Sequence, residues 1–465
     1  MGMRCGLGLA AVAAATFLQA PASAEWSASL PIPAACTVVD PPKLPNRWHA
    51  VALMLPFSEG QLDVGEFVYD GTLRAMRATV YGLESGAIDL LITEGQTYRL
   101  AGPYDAPTHC TSVGRGLRLP TRQWLSDQAV CIGEMRLATQ DVQWWKAPGA
   151  DTQASYHWFK RATRLPWRSL FLSRSRDPAI IGDYAMSYFP TFTPLRDTQL
   201  AALVDLCGAR TQDGNAQMPT TVPTARELMT IRNEAAEVER KARIGTLIPG
   251  LSHDACSRMT TPGWPEQFVM TAMLTPIRFQ DEPNSSLIYY DWRQHQTQLQ
   301  LMFQGRPPVI DGLISLKKNI GYRMLRRPSG GMSCEPVFPG IVRPDWMSVA
   351  GCQCKGTIDR HPEFGPDAEM QILSCPIKWK GPRIMWNMYR ADGRPVVFFE
   401  AAPGGAGLML ADYQDWAPGA TAQPHTLELP DICKMPDSSG LPSNPASNPM
   451  IGNPSCSDCH TNERP

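Results

Sequence analysis

The chain says the same thing twice. Cys36, "FVYD" (Phe67 to Asp70), "AIDLLI" (Ala87 to Ile92), "TYRL" (Thr97 to Leu100) and Cys110 follow one another in the first half. "TRQWL" (Thr121 to Leu125), "CIG" (Cys131 to Gly133), "GDYAM" (Gly182 to Met186) and Cys207 continue the series. The same order returns as Cys256, "IYYD" (Ile288 to Asp291), "VIDGLI" (Val309 to Ile314), "GYRM" (Gly321 to Met324) and Cys334. It closes with "RPDWM" (Arg343 to Met347), "CKG" (Cys354 to Gly356), "ADYQD" (Ala411 to Asp415) and Cys433. The spacing between copies is 220 at the first cysteine and 226 at the last. Self-similarity at a fixed period means that one structural unit is built twice. The repeats therefore span 25–207 and 251–433.

Within each repeat the pattern is that of strands. "LRAMRATVYGL" and "TQLQLMF" alternate apolar with polar residues, the period of a sheet with two unlike faces. "AIDLLITEGQTYRL" and "VIDGLISLKKNIGYRM" each read as a hairpin, turning near Glu94-Gly95 and Lys318-Asn319. Between the repeats, 208–250 begins polar and becomes helical. Thr224 caps the run, Glu227 completes a capping box, and Gly245 and Pro249 end it. Leu228, Ile231 and Ala235 give this connector a thin apolar stripe, the mark of a packing strut. The expected fold is mainly β: two tandem, curved antiparallel sheets of half-barrel type, joined by a helix-bearing linker.

The first 24 residues carry Arg4, an apolar run from Leu7 to Leu18, and Ala22-Ser23-Ala24. That is the pattern of a cleaved signal peptide, the run being shorter than the roughly 20 residues of a membrane span. Cleavage near Ala24 predicts a periplasmic or secreted protein with no transmembrane segment in the mature chain. It removes Cys5 of the 13 cysteines and leaves an even number in an oxidising compartment. Each repeat then holds four matched cysteines, which can pair in three ways. The preferred pairing is the short loop Cys110–Cys131 with the long closure Cys36–Cys207, and Cys334–Cys354 with Cys256–Cys433. Loops of roughly 20 and 170 residues each stabilise by a few kcal/mol. Cys352 and Cys375, present only in the second repeat, form an extra bridge by subtraction. With a net charge of −1 and its basic residues scattered, the chain offers no surface for nucleic acid.

The order of elements resembles the half-barrel family of LolA-like lipoprotein carriers and ependymin-related secreted proteins. The resemblance lies in a Tyr-Asp ending one strand, the consecutive hairpins with "TYRL" or "GYRM", and a cysteine soon after. It implies a curved sheet that cradles a hydrophobic, lipid-like molecule. Dense aromatics, "VQWW" (Val142 to Trp145), "HWF" (His157 to Phe159) and "LPW" (Leu165 to Trp167), are core packing or the lining of such a pocket. Their counterparts are Trp379, Trp386 and Phe398-Phe399.

One motif stands apart from the repeats. "CSDCH" (Cys456 to His460) has the C-x-x-C-H form of c-type haem attachment. It resembles c-type cytochromes at this pentapeptide alone, which implies thioether bonds at Cys456 and Cys459 and His460 as proximal iron ligand. Met450, Met435, His425 or a residue of the body of the protein would supply the distal ligand. Against this, only five residues follow His460, and the Pro/Ser/Asn-rich tail, 434–465, reads as flexible rather than as a haem pocket. A Cys456–Cys459 disulfide or a metal site remain the alternatives. The eight histidines are otherwise dispersed, with no H-E-x-x-H, no G-x-S-x-G and no phosphate loop, and no residue qualifies as catalytic. Asp183-Tyr184 and Asp412-Tyr413, like Asp89 and Asp311, recur in both copies and read as turn or strand-end residues. Two functions follow: a haem c electron-transfer protein working with a redox partner, or a haem-free carrier of a hydrophobic small molecule.

Overall fold

A computed structural model describes residues 33–57, 61–84, 86–115, 117, 119–120, 122, 124–148, 155–171, 184–210, 234–275, 284–293, 296–303, 309–315, 320–326, 332–337, 341–362, 369–377, 383–401, 407–420 and 451–452. The first repeat forms β1 (Arg47–Pro56), β2 (Asp63–Asp70), β3 (Ala75–Gly82), β4 (Ala87–Thr93), β5 (Gln96–Ala101), β6 (His109–Arg115), β7 (Val130–Leu137), β8 (Gln140–Ala147), β9 (Ser155–Lys160), β10 (Pro166–Phe171) and β11 (Tyr184–Pro194). Helices α1 (Leu200–Arg210) and α2 (Glu234–Leu247) follow. The second repeat forms β12 (Leu251–Ser252), β13 (Gln267–Thr275), β14 (Asn284–Asp291), β15 (Gln296–Phe303), β16 (Val309–Ser315), β17 (Ile320–Arg326) and β18 (Met332–Val337). It continues with β19 (Ile341–Val342), α3 (Trp346–Val349), β20 (Gln353–Ile358), β21 (Met370–Ile377), β22 (Arg383–Arg390), β23 (Pro395–Ala401) and β24 (Gly407–Pro418).

Two large antiparallel sheets result, and neither closes into a barrel. The first runs β6-β5-β4-β3-β2-β1-β11-β10-β9-β8-β7. The second runs β18-β17-β16-β15-β14-β13-β24-β23-β22-β21-β20, with β12 added at its end. Strand for strand the orders are the same, so the duplicated sequence is a duplicated topology. Both expected hairpins form: β4 pairs with β5 around Glu94-Gly95, and Ser315 of β16 faces Ile320 of β17.

Register corrects two of the sequence matches. Leu53 pairs with Tyr188 while its counterpart Met273 pairs with Asp412, so Phe189, not Tyr184, is the positional partner of Tyr413. Thr79 faces Asp89, but Gln300 faces Ile310, because an irregularity between β15 and β16 shifts Asp311 out of line. A bulge displaces every later residue by one place, which a sequence offset cannot register.

Side chains alternate along β1, and both of its faces are covered. Trp48, Ala50, Ala52 and Met54 pack with Phe67, Phe189 and Leu117 on a loop-bearing face. Val51, Leu53 and Leu55 point to the other face, into a core shared with Met273, Ile372, Trp386, Met388 and Phe399 of the second repeat. Trp144, Trp158 and Trp167 also lie in that shared core, at most 4 % exposed. Each such buried side chain stabilises the fold by roughly 1.5–3 kcal/mol. Trp144 and Trp158 are packing, and Trp167 packs with them while also bordering a small cavity with Tyr188 and Asp412. Polar links cross the same junction. Trp386 Nε1 donates to the Pro56 carbonyl at 3.1 Å. Arg168 holds Asp412 with two bonds of 2.6 and 2.7 Å while its guanidinium lies 3.9 Å over Trp158.

The disulfides differ from the preferred pairing. Cys36 bonds Cys131, Cys110 bonds Cys207, and Cys256 bonds Cys354. The reason is topological. Cys110 on β6 and Cys131 on β7 are close in sequence but stand at opposite edges of an eleven-stranded sheet. At about 4.8 Å per strand no bridge spans that width. Instead Ala34 pairs with Glu134, bringing Cys36 to β7, and α1 brings Cys207 under β6. Cys352 bonds Cys375. Cys334 is also bonded, while Cys433 lies outside the described residues.

The linker departs from expectation in one respect. A helix, α1, already forms before Cys207, and its Leu200 and Leu203 cover Ala75, Leu91 and Leu100. Thr224, Glu227, Leu228 and Ile231 lie outside the described residues. Helix α2 runs through Gly245, expected to end it, as far as Leu247, and the chain turns at Gly250, whose φ of +83° and close approach to the Asp359 carbonyl leave no room for a Cβ. Ile244 and Ile248 seat it on the shared core. The tail also makes contact with the body: Ile451–Gly452 (β25) pairs with β19.

Candidate functional site

Helix α2 crosses the face of the first sheet where β3, β4 and β5 lie side by side. Their sequences put polar residues at alternating places on that face: Arg77, Thr79 and Tyr81 on β3, Asp89 on β4, and Glu66 on the adjoining β2. The helix contributes Arg240 and Arg243 one turn apart, and the β5–β6 connection contributes Tyr104. Thr79, Tyr81, Asp89, Tyr104, Arg240 and Arg243 line a cleft of about 400 Å³, with Ala87, Leu100 and Ala242 as its apolar walls; Glu66 and Arg77 bond to this lining without being part of it. That volume is in the range of one small-molecule site, roughly 300–1,000 Å³.

Each carboxylate of the cluster holds one arginine. Asp89 accepts from Arg77 Nε at 3.0 Å, from Arg77 Nη2 at 2.5 Å and from Thr79 at 2.9 Å. Glu66 accepts from Arg243 Nη2 at 2.9 and 3.0 Å and lies 3.1 Å from His49 Nε2. Burial would raise the Glu66 carboxyl, but bonds from His49, Arg243 and Tyr104 and the Arg243 charge hold it below its ordinary value. Tyr104 is pinned: its ring lies 3.9 Å from the Arg77 guanidinium and 4.4 Å from that of Arg243. Its carbonyl accepts from Arg77 at 2.6 Å. Burial and the Glu66 charge push its phenol up to about 12. Arg240 donates to the carbonyls of Gly82 and Leu83, tying α2 to the end of β3. Tyr81, 5 % exposed, lines the same cleft.

Of these residues the sequence singled out only Asp89, as a turn or strand-end residue, and the structure sets it within β4, bonded to Arg77 and Thr79. Tyr81 reads there only as part of an alternating strand, and α2 as a strut. The available signal was a comparison of the copies, position by position. By register His49, Glu66, Arg77, Thr79 and Tyr81 correspond to Val269, Leu287, Gln298, Gln300 and Met302. The fold is common to both copies; the ionic cluster belongs to one.

The sequence-derived haem residues Met450, Cys456, Cys459 and His460, like Met435 and His425, lie outside the described residues. Among the described residues no group of three His, Cys, Asp or Glu could hold a metal ion. Nor is any described helix long and apolar enough to cross a membrane.

No protein-family model matches the chain, and no curated protein matches it. Solved structures do align. An uncharacterized conserved protein from Thermus thermophilus shares 14 % identity over 39 % of this chain and 90 % of its own, with a TM-score of 0.23. The Pseudomonas aeruginosa MucA/MucB complex aligns over 62 % of this chain and 85 % of its own, at 12 % identity and TM-score 0.20. A LolA superfamily protein from Nitrosomonas europaea aligns over 38 % and 96 %, at 9 % identity and TM-score 0.20. The LolA-like resemblance of the sequence thus has a LolA superfamily protein among its structural neighbours.

Proposed function

We propose that this is an exported binding protein, and that it takes a small molecule into the cleft between β3–β5 and α2. The observation that carries the reading is the confinement of the ionic cluster to one of two otherwise matched sheets. A cluster absent from the second copy is not required by the topology the two copies share, and is therefore available for binding. The lipid-like carrier narrows accordingly. The sheet faces are covered by the protein's own side chains, and a cleft of about 400 Å³ holds a compact molecule in place of a diacyl lipid. Native mass spectrometry of protein exported from a bacterial host tests it. The expected result is a bound species of a few hundred daltons, lost when Ala242→Trp fills the cleft. Identical spectra for the two proteins would refute the reading.

A second reading keeps the tail. "CSDCH" begins four residues after β25, the strand that ties the tail to β19, so a haem attached there would be held beside the second repeat. Cys456 and Cys459 would carry the thioether bonds and His460 the iron, making the protein an electron donor or acceptor. Intact mass and a visible spectrum, on protein from a host competent in haem c maturation, decide it. A gain of about 616 Da with a Soret band, abolished by Cys456→Ala/Cys459→Ala, is the expected outcome. A colourless protein at its apo mass removes the haem.

A further inference from the structure

Away from the cleft, the Cys352–Cys375 bridge differs from the other described disulfides in what it holds. Cys354 faces Leu373 as Cys131 faces Trp145, so by register Cys352 and Cys375 correspond to Ala129 and Ala147. Those alanines pack with Leu125 and Trp145 in the first repeat, so the topology that the copies share does not require a bond at this place. The bridge spans a sequence separation of 23, against 95, 97 and 98 for Cys36–Cys131, Cys110–Cys207 and Cys256–Cys354. The stability that a bridge confers through the unfolded chain falls with loop length, so this one is the least costly of the four to open. Backbone pairing holds β20 to β21 whether or not the sulfurs are joined. What the bond fastens to the sheet is α3, because the Cys352 N–H donates to the Met347 carbonyl at 2.9 Å.

The two sulfurs are unlike. Cys375 is fully buried, while Cys352 is half-buried between the exposed Gly351 and Gln353. Asn387 Nδ2 donates to Cys375 Sγ at 3.4 Å. In two other bridges a carbonyl oxygen lies beside the sulfur instead: Gly133 O is 3.8 Å from Cys131 Sγ, and Gly356 O is 3.7 Å from Cys354 Sγ. An N–H stabilises a thiolate and a carbonyl oxygen opposes one. In thiol–disulfide exchange the better-stabilised thiolate leaves faster. We propose that Cys352–Cys375 is a thiol-exchange site whose substrate is a reduced protein dithiol, with Asn387 positioned to stabilise the leaving group. A thiolate of the dithiol attacks Cys352 Sγ, the Cys352–Cys375 bond breaks, and the electron pair leaves on Cys375 Sγ, which takes a proton. The second sulfur of the dithiol then attacks the mixed disulfide and releases Cys352. The protein gains two electrons and two protons, the dithiol becomes a disulfide, and α3 is unfastened from β21.

Dithiothreitol serves as the probe dithiol, added in steps to the folded full chain, with iodoacetamide quenching and peptide mapping at each step. Cys352 and Cys375 are expected to be alkylated at a concentration at least about tenfold lower than Cys36, Cys131, Cys110, Cys207, Cys256 and Cys354, with the far-UV β signal unchanged. Reduction together with the other bridges, after them, or only as the β signal is lost overturns the inference. Asn387→Leu removes the donor and should slow opening of this bridge about tenfold, leaving the rates of the others alone. An unchanged rate overturns the role of Asn387. Cys375→Ala, which leaves Cys352 as a free thiol, should react with a thiol reagent in the folded state, and Cys352→Ala should not. The reverse result overturns the direction of attack. Cys352→Ala/Cys375→Ala, the residues of the first repeat, should keep the fold and lose the first alkylation step, and a double variant that does not fold makes the bridge structural.

Discussion

His157 and Asn387 occupy matched places on β9 and β22, and Arg168 and Val397 matched places on β10 and β23. The first repeat thus carries ionisable groups where the second carries neutral ones, on the same backbone. His157 is fully buried between the hydroxyls of Ser155 and Ser169, each at 2.9 Å. Asn387 instead donates to Cys375 Sγ at 3.4 Å, beside the disulfide found only in its repeat. The comparison teaches that topology was retained through a register of backbone bonds, while polarity was free to diverge. The pair Arg168–Asp412 has the same origin. Its mirror positions hold Val397 and Tyr188, so the ion pair takes one residue from each repeat and has no second copy.

The largest effect should come from that junction. Arg168→Val leaves the Asp412 carboxylate buried without its counter-charge and is expected to cost about 3–5 kcal/mol in urea unfolding. Adding Asp412→Tyr gives both copies the same residues and should recover most of the loss. A single variant costing under about 1 kcal/mol would show that the ion pair does not hold the repeats together.

Next comes acid sensitivity. Burial pushes His157 from its ordinary 6.5 down to about 3, so the folded state resists a proton that the unfolded chain accepts. The associated stability is full above pH 6.5 and is lost as pH falls toward 3, amounting to about 3 kcal/mol at pH 4. His157→Asn, the residue of the second copy, should flatten that part of the stability–pH curve. An unchanged slope between pH 6.5 and 4 would place the sensitivity elsewhere.

The smallest effect concerns Glu66. Its carboxyl is held below the ordinary 4.5, so its contribution is present above that pH and fades as pH falls below it. Glu66→Leu, again the second copy's residue, should cost about 1–2 kcal/mol at neutral pH and less in acid. A cost that persists unchanged at pH 3 would mean that packing, not charge, is lost.

Much of this fold was legible in the order of residues. Matched landmarks announced two like units, alternation announced sheets, and Glu94-Gly95 announced a hairpin, because turn chemistry and side-chain period act over a few residues. The disulfide partners were not legible. Sequence proximity favoured Cys110 with Cys131, and only the strand order shows them at opposite edges. The cleft was hidden for a related reason. Glu66, Tyr81, Asp89, Tyr104 and Arg243 come from five separate segments, each unremarkable by itself.

The sequence by itself determined the duplication, the antiparallel β class and the segment that would become α2, all properties of local pattern repeated along the chain. Tertiary structure alone decided which cysteines meet, that the tryptophans of the two sheets share one core, and that α2 walls a cleft over β3–β5. Those outcomes depend on which faces come together, and a chain records its own order but not the neighbours that folding brings to it.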